Sequence, residues 1–181
     1  MLMNYYYQSI VKYDLINKFI YKNTEKLPKL KKISLNFGYD NKNFNLKSLA
    51  LAMLALELIT KQKGKLTYFK TTKISIKIRK GYPVGCKITL RKTVMNEFFF
   101  KLLINVFPKI KNFYGIKIKK NVTNTISFKL KNSSSFDELE KNHNLFKNLP
   151  LLDITFVTNT KNQKELLYLV ISNKLPLLYQ S

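Results

Sequence analysis

The sequence predicts an α+β fold: a mainly antiparallel sheet with helices packed on one face and a projecting, glycine-containing arm. Three observations lead there. Segments whose apolar residues recur at period two, as in strands, are mixed with segments of helical period. The mixture lacks the regular β-α-β alternation that a parallel sheet requires. Two glycines, Gly81 and Gly85, bracket Tyr82, Pro83 and Val84 between cationic runs, and glycine's access to positive φ with proline's fixed φ shapes a turn there.

The elements follow in order. From Asn4 to about Lys22, the spacing of Tyr6, Ile10, Tyr13, Ile16 and Ile20 gives an apolar stripe, with Lys12, Asp14 and Lys18 on other faces. This is an amphipathic helix expected to pack on a sheet rather than on a membrane. Pro28 resets the chain, and Ile33, Leu35 and Phe37 then alternate with Lys32, Ser34 and Asn36 up to Gly38, a strand with a polar outer face. A polar turn over Asp40 to Asn45 follows, with Asn45 as helix cap. The run Leu46 to Thr60 is nearly apolar all round and is read as a core helix covered on most sides and stopped by Gly64. An extended region starts at Leu66 to Lys70 and continues through Ile74, Ile76 and Ile78, spaced by Lys73, Ser75 and Lys77, as a strand or rigid arm. Past the glycine turn, Cys86, Ile88 and Leu90 alternate with Lys87, Thr89 and Arg91, one buried face and one cationic face.

A further helix begins after Thr93, presents Phe98, Phe99, Leu102, Leu103 and Val106 as core, and is expected to end at Phe107-Pro108. Lys109, Lys111, Lys117, Lys119 and Lys120 then interleave with Ile110, Phe113, Tyr114, Ile116 and Ile118. This stretch reads equally as an RNA-facing loop or a solvated return. Ile126, Phe128 and Leu130 mark a strand, Asn132 to Ser135 a polar break, Ile154, Phe156 and Val157 another strand, and Glu165 to Ile171 a closing helix. The order is α-β-α-β-β-α-β-β-α. With no internal repeat or linker, residues 1–181 are expected to form a single domain.

Composition narrows the partners. Of 181 residues, 45% are hydrophobic, which is enough for a core, and 33 Lys and Arg oppose 10 Asp and Glu for a formal net charge of +23. Such a surface needs a polyanion, nucleic acid or an anionic membrane. Only Arg79 and Arg91 are arginines; AT-rich coding raises lysine and asparagine but does not remove acids to this degree. The lone Cys86 excludes an internal disulfide, and one histidine, His143, in a polar loop-like context, leaves no Cys/His zinc site. No metal, cofactor or catalytic residue is expected: nucleophile–base pairs, P-loops and dinucleotide fingerprints are missing. Glu57 and Glu97 lie in predicted helices, where surface pairing is their simplest use. The start of the chain lacks the features of a secretory or transit peptide, and no stretch reaches the ~18 apolar residues of a membrane span.

Three ordered segments carry a resemblance. KIRKGYPVGCKITLR (Lys77 to Arg91), KLPKLKKISLNFG (Lys26 to Gly38) and NEFFFKLLINVFPKIKNFYG (Asn96 to Gly115) are similar to signatures of the universal large-subunit ribosomal protein five family, nearly end to end. Phe136-Asp137-Glu138-Leu139 and Leu152-Asp153-Ile154 resemble its C-terminal half more weakly. The resemblance implies a structural, non-catalytic protein that binds 5S rRNA in the central protuberance. It also implies contacts with large-subunit rRNA, peptidyl-site tRNA and neighbouring ribosomal proteins of the protuberance. By position, Asn36, Gln62 and Thr89 match the family's 5S rRNA contacts, with Lys32, Lys87 and Arg91 beside them on the cationic strand faces. The arm residues Lys77, Arg79, Lys80 and Tyr82 match the tRNA-contacting loop, shaped by Gly81, Pro83 and Gly85. Where relatives carry a small, glycine-containing segment, this chain has Lys73, Ile74 and Ser75, a stiffer arm. The lysine and asparagine bias and the bacterial-style match imply a mitochondrial, organelle-encoded protein, with a plastid or an AT-rich bacterium as alternatives. The rival functions are a generic basic RNA-binding, membrane-surface or chaperone-like protein using the first helix, and a small RNA-modifying enzyme.

Overall fold

The structure, a computed structural model, describes residues 2–38, 46–72, 79–118, 122–131 and 133–178. The Asp40–Asn45 turn with its proposed cap, Lys73 to Ile78 of the arm, Lys119, Lys120 and Asn132 lie outside the described residues. Five strands form one antiparallel sheet: β1 (Leu30–Gly38), β2 (Lys65–Tyr68), β3 (Pro83–Leu90), β4 (Thr125–Leu130) and β5 (Leu152–Thr158), in the order β2-β3-β1-β5-β4. With the helices below, this is the expected α+β class. Contacts divide the chain into two compact units, one of residues 1–33, 90–128 and 155–181, the other of residues 34–89 and 129–154.

In the first unit the N-terminal helical segment comprises α1 (Leu2–Tyr6), a π-helical turn over Tyr7–Val11 and α2 (Lys12–Lys18). The expected stripe is corrected here. Val11 and Leu15 are buried with Leu27 and Leu169, and Tyr6 and Tyr7 pack against them, while Ile10, Tyr13 and Ile16 are exposed and Ile20 is fully so. Apolar side chains cover a wide arc of this segment, and the π turn inserts an extra residue per turn, so the 7-11-15 face wins. The helix also ends at Lys18 rather than Lys22. Phe19 turns to extended geometry (φ −127°, ψ 133°) and sets its ring against Tyr168 at 5.8 Å and Tyr21 at 6.3 Å.

Helix α4 (Lys92–Lys101) runs through a π turn, Leu102–Val106, into α5 (Phe107–Lys109). Pro108 therefore opens the last turn instead of ending the helix before it. The π turn sends the Phe107 N–H to Leu102 O, and proline, lacking an N–H, is tolerated in the first turn of the short helix that follows. Phe99, Phe156, Phe128, Phe107 and Phe113 make a chain of ring contacts at 5.6, 5.7, 5.8 and 4.9 Å. Asn159 ties the start of β1, accepting from Lys29 N at 2.6 Å and donating to Leu27 O at 3.0 Å. Among the later elements, α8 (Gln163–Ser172) completes the unit.

In the second unit α3 (Leu46–Thr60) has the predicted bounds and packs against α6 (Asp137–Glu140) and α7 (His143–Phe146). Leu49, Ala52, Ala55, Leu56 and Ile59 are buried. The expectation that α3 is covered on most sides is overturned: Leu46, Leu54 and Leu58 are 58%, 45% and 38% exposed and, with exposed Ala50, make a stripe at four-residue spacing. His143 starts a helical turn rather than sitting in a loop, because the buried residues Phe136, Leu139 and Phe146 fold the segment into short helices around α3. Among the described residues, no helix is long and apolar enough to cross a membrane.

Candidate nucleic-acid interface

The second unit brings Asn36, Gln62, Lys87 and Thr89 of the predicted RNA contacts onto neighbouring elements. On β1, Leu35 and Phe37 are fully buried while Ser34 and Asn36 are half-buried on the other face. On β3, Cys86, Ile88 and Leu90 are buried, Lys87 is exposed and Thr89 half-exposed. The alternation read from the sequence is thus the alternation of the sheet, and β1 and β3 are neighbours.

Gln62 joins this face through a clasped turn. The helix stops at Thr60, whose Oγ1 donates to Leu56 O at 2.7 Å and accepts from Gln62 N at 3.3 Å. Lys61 reverses the chain at φ 55°, and Glu57 Oε1 accepts from Gly64 N at 3.3 Å. Glu57 therefore holds a turn. Held in this way, Gln62 Nε2 donates to Thr89 O at 3.4 Å. Gln62 itself is exposed, which leaves its amide oxygen as an acceptor on the same side.

Two features were not read from the sequence. In the antiparallel β2–β3 register Lys65 lies opposite Lys87, Leu66 opposite Cys86 and Thr67 opposite Gly85. Directly opposed residues share a face, so two exposed lysines stand side by side, an arrangement that is unfavourable until an anion joins them. The signal was present in the alternation of Lys65 and Thr67 with Leu66, but the register was not. The second feature is Gly85. It lies within β3 rather than in the turn, where an added Cβ would be 2.3 Å from Phe37 O, so glycine here permits close strand approach. Pro83 likewise opens β3, the strand position that tolerates its missing donor, and pairs with Tyr68 across a bulge. Of the three predicted turn residues, only Gly81 makes the turn itself, at φ +85° with nothing near its missing Cβ.

The hairpin continues outward: Phe69 N donates to Tyr82 O and Gly81 N to Phe69 O, each at 3.0 Å. Arg79, Lys80 and Tyr82 are exposed at this end, and Tyr68 shows 56% of its surface. Lys77 lies outside the described residues. The thiol of Cys86 is pushed up to about 12 by burial, against a smaller downward pull from a backbone hydrogen bond at Phe37, so it stays protonated and inert near neutral pH.

In the first unit Lys32 is half-buried on β1 and Arg91 is exposed, in extended geometry immediately before α4. The same unit holds a cleft of about 480 Å3 walled in part by Met95, Phe99 and Phe156 and lined by Lys29, Lys31 and Lys92, and none of the expected RNA contacts lines it. Among the described residues, no group of three or more His, Cys, Asp or Glu side chains is placed to hold a metal ion.

Comparison with known proteins gives the family. Residues 83–177 match the model for the C-terminus of the ribosomal L5 family. Over 173 residues, covering 95% of each chain, the sequence is 35% identical to large ribosomal subunit protein uL5m of Reclinomonas americana. It is 37% identical to uL5 of Wigglesworthia glossinidia brevipalpis over 94% of this chain and 96% of that one. Against uL5 of Clostridium acetobutylicum it is 36% identical over 83% of each. The family match covers β3 with its Lys87–Thr89 face, and the full-length matches add β1 and the Gln62 turn; the chain belongs to the ribosomal L5 family, the uL5 ribosomal proteins.

Proposed function

We propose that residues 1–181 act as a single ribosomal-protein domain, a structural constituent of the large subunit and not an enzyme, which binds 5S rRNA in the central protuberance. The observation that carries this reading is the hydrogen bond from Gln62 to the Thr89 backbone, which draws two of the three expected 5S contacts together beside the cationic pair Lys65 and Lys87. Asn36 and Thr89 offer hydrogen-bonding groups for sugars and base edges, and the lysines meet phosphates. In the first unit, Lys32 and Arg91 are the proposed phosphate contacts. Large-subunit rRNA and neighbouring proteins of the protuberance are the other expected partners. Lys77, Arg79, Lys80 and Tyr82 form the part proposed to reach peptidyl-site tRNA.

Similarity to a mitochondrial relative supports a mitochondrial ribosome as the proposed location, and similarity to bacterial relatives keeps a plastid or an AT-rich bacterium as alternatives. The test is an equilibrium titration against 5S rRNA from the same source and a size-matched scrambled RNA, at about 0.05 and 0.2 M salt, where non-specific binding collapses. Preference for 5S rRNA should persist at the higher salt, and Asn36→Ala with Thr89→Ala should remove about 1–3 kcal/mol per lost base contact. Equal, salt-erased binding to both RNAs would overturn the reading.

A further inference from the structure

The segment after α5 was left open by the sequence between an RNA-facing loop and a solvated return. The structure holds it in a defined shape. On one side Phe113 stacks on Phe107, with ring centroids 4.9 Å apart and planes 8° from parallel. On the other, Ile116 is 2% exposed and pairs with Leu177 in a parallel bridge. Ile116 N donates to Pro176 O at 2.8 Å, and Leu178 N donates to Ile116 O at 3.1 Å. Asn112, just before the first anchor, and Gly115, between the two, take positive φ, 57° and 117°, and a Cβ on Gly115 would fall 2.9 Å from the backbone of Leu177 and Leu178.

The side chain left between the two anchors is Tyr114, 77% exposed. Phe113 and Ile116 turn inward, so the backbone itself directs Tyr114 outward, away from the core that its ring would otherwise join. A single exposed aromatic on a mobile loop would mean little. This one is displayed by a loop pinned on both flanks, with exposed Lys111 and Lys117 beside it, and no Asp or Glu occurs between Glu97 and Asp137. An aromatic face flanked by cations, in a stretch of sequence without acids, matches the needs of an unpaired nucleotide: a π surface for the base and charges for its phosphates. Pinning lowers the ordering cost of the contact.

We propose that Tyr114 is a stacking platform for an unpaired nucleotide of single-stranded RNA, with Lys111 and Lys117 holding the adjoining phosphates. This is a second RNA-facing surface, independent of the Asn36–Gln62–Thr89 face. The chain contains no tryptophan, so Tyr114→Trp in the full-length protein provides a single reporter at this position. The probe is a single-stranded RNA of about ten nucleotides compared with a duplex of the same length, neither containing 5S sequence, so failure of the 5S reading leaves this assay unaffected.

The single strand should quench the Trp emission and the duplex should not. In labelled-RNA titrations of the parent frame, Tyr114→Ala should weaken single-strand binding roughly tenfold, within the range of base–aromatic stacking, while Tyr114→Phe retains it. Lys111→Ala with Lys117→Ala should lower the salt slope by about 1.4. The exposed position of Tyr114 keeps Tyr114→Ala folded, as its circular dichroism should confirm. Equal quenching by duplex, no quenching, or unchanged affinity in Tyr114→Ala would each overturn the proposal.

Discussion

Gly85→Ala tests whether the close approach of β1 and β3 is what this glycine is for. The added Cβ would lie 2.3 Å from Phe37 O, 3.3 Å from Phe37 C and 3.1 Å from Thr67 Oγ1. The threonine can rotate away, but the Phe37 carbonyl is backbone in the neighbouring strand. Non-bonded atoms sit comfortably at about 3.5 Å, so the strands must part locally by about 1 Å. Overpacking of this kind costs about 1–3 kcal/mol and occasionally more, and an unyielding backbone neighbour places Gly85→Ala near 3 kcal/mol. At ~2–4 °C per kcal/mol for a chain of this size, Tm should fall by about 6–12 °C. Gly81→Ala is the comparison. There the space is open and only the positive φ is penalised, about 1–2 kcal/mol for a left-handed residue. Thermal melts and urea titrations followed by circular dichroism on both variants decide the matter. A loss at Gly85→Ala no larger than at Gly81→Ala would refute the close-approach argument.

Three further outcomes are expected. Lys87→Ala relieves the like-charge pair with Lys65, so Tm should hold or rise slightly while the salt slope of RNA binding falls by about 0.9, measured by titration across salt. Gly115→Ala pushes a Cβ into the backbone of Leu177 and Leu178, so limited proteolysis should cut the C-terminal segment faster than in the parent. For Cys86, the folded thiol near 12 lies above its ordinary value of 9.0: the folded chain keeps a proton that the unfolded chain releases. Its contribution is therefore complete below about pH 9 and is lost as pH rises from there towards 12. Urea midpoints taken from about pH 8 to 11 should fall less steeply in Cys86→Ala, with Tyr7 and Tyr21, both raised mainly by burial, supplying the remainder with the same sign.

Legibility followed the strength of the local pattern. Ile33, Leu35 and Phe37, and Cys86, Ile88 and Leu90, were readable because a half-buried strand writes its two faces into alternate residues. The helix over Leu46 to Thr60 was readable because no breaker interrupts it, but its exposed stripe was not, since an all-apolar surface gives no hint of which side is covered. The first helix failed for a related reason: its wide apolar arc supports two stripes, and only a π turn and the partners Leu27 and Leu169 choose between them. Gly85 looked like a turn residue because glycine serves both turns and close strand contacts. Register is non-local, so the opposition of Lys65 and Lys87 had no signature of its own, and the Gln62–Thr89 bond depends on a turn fixed by Glu57 and Thr60.

The first unit joins the two ends of the chain. Val11 and Leu15 pack with Leu169, Tyr6 OH donates to Ser172 O across 166 positions, and Ile116 is held by residues 176–178. During vectorial synthesis the opening helix emerges long before α8, so Leu27 can meet its buried face early while Leu169 completes that face only once α8 has been made. Contacts of such sequence separation close slowly because the chain entropy is spent before the packing is gained. Folding of this unit is thus a late event tied to synthesis of α8, and the Tyr114 loop, pinned by residues 176–178, acquires its shape only after these are made.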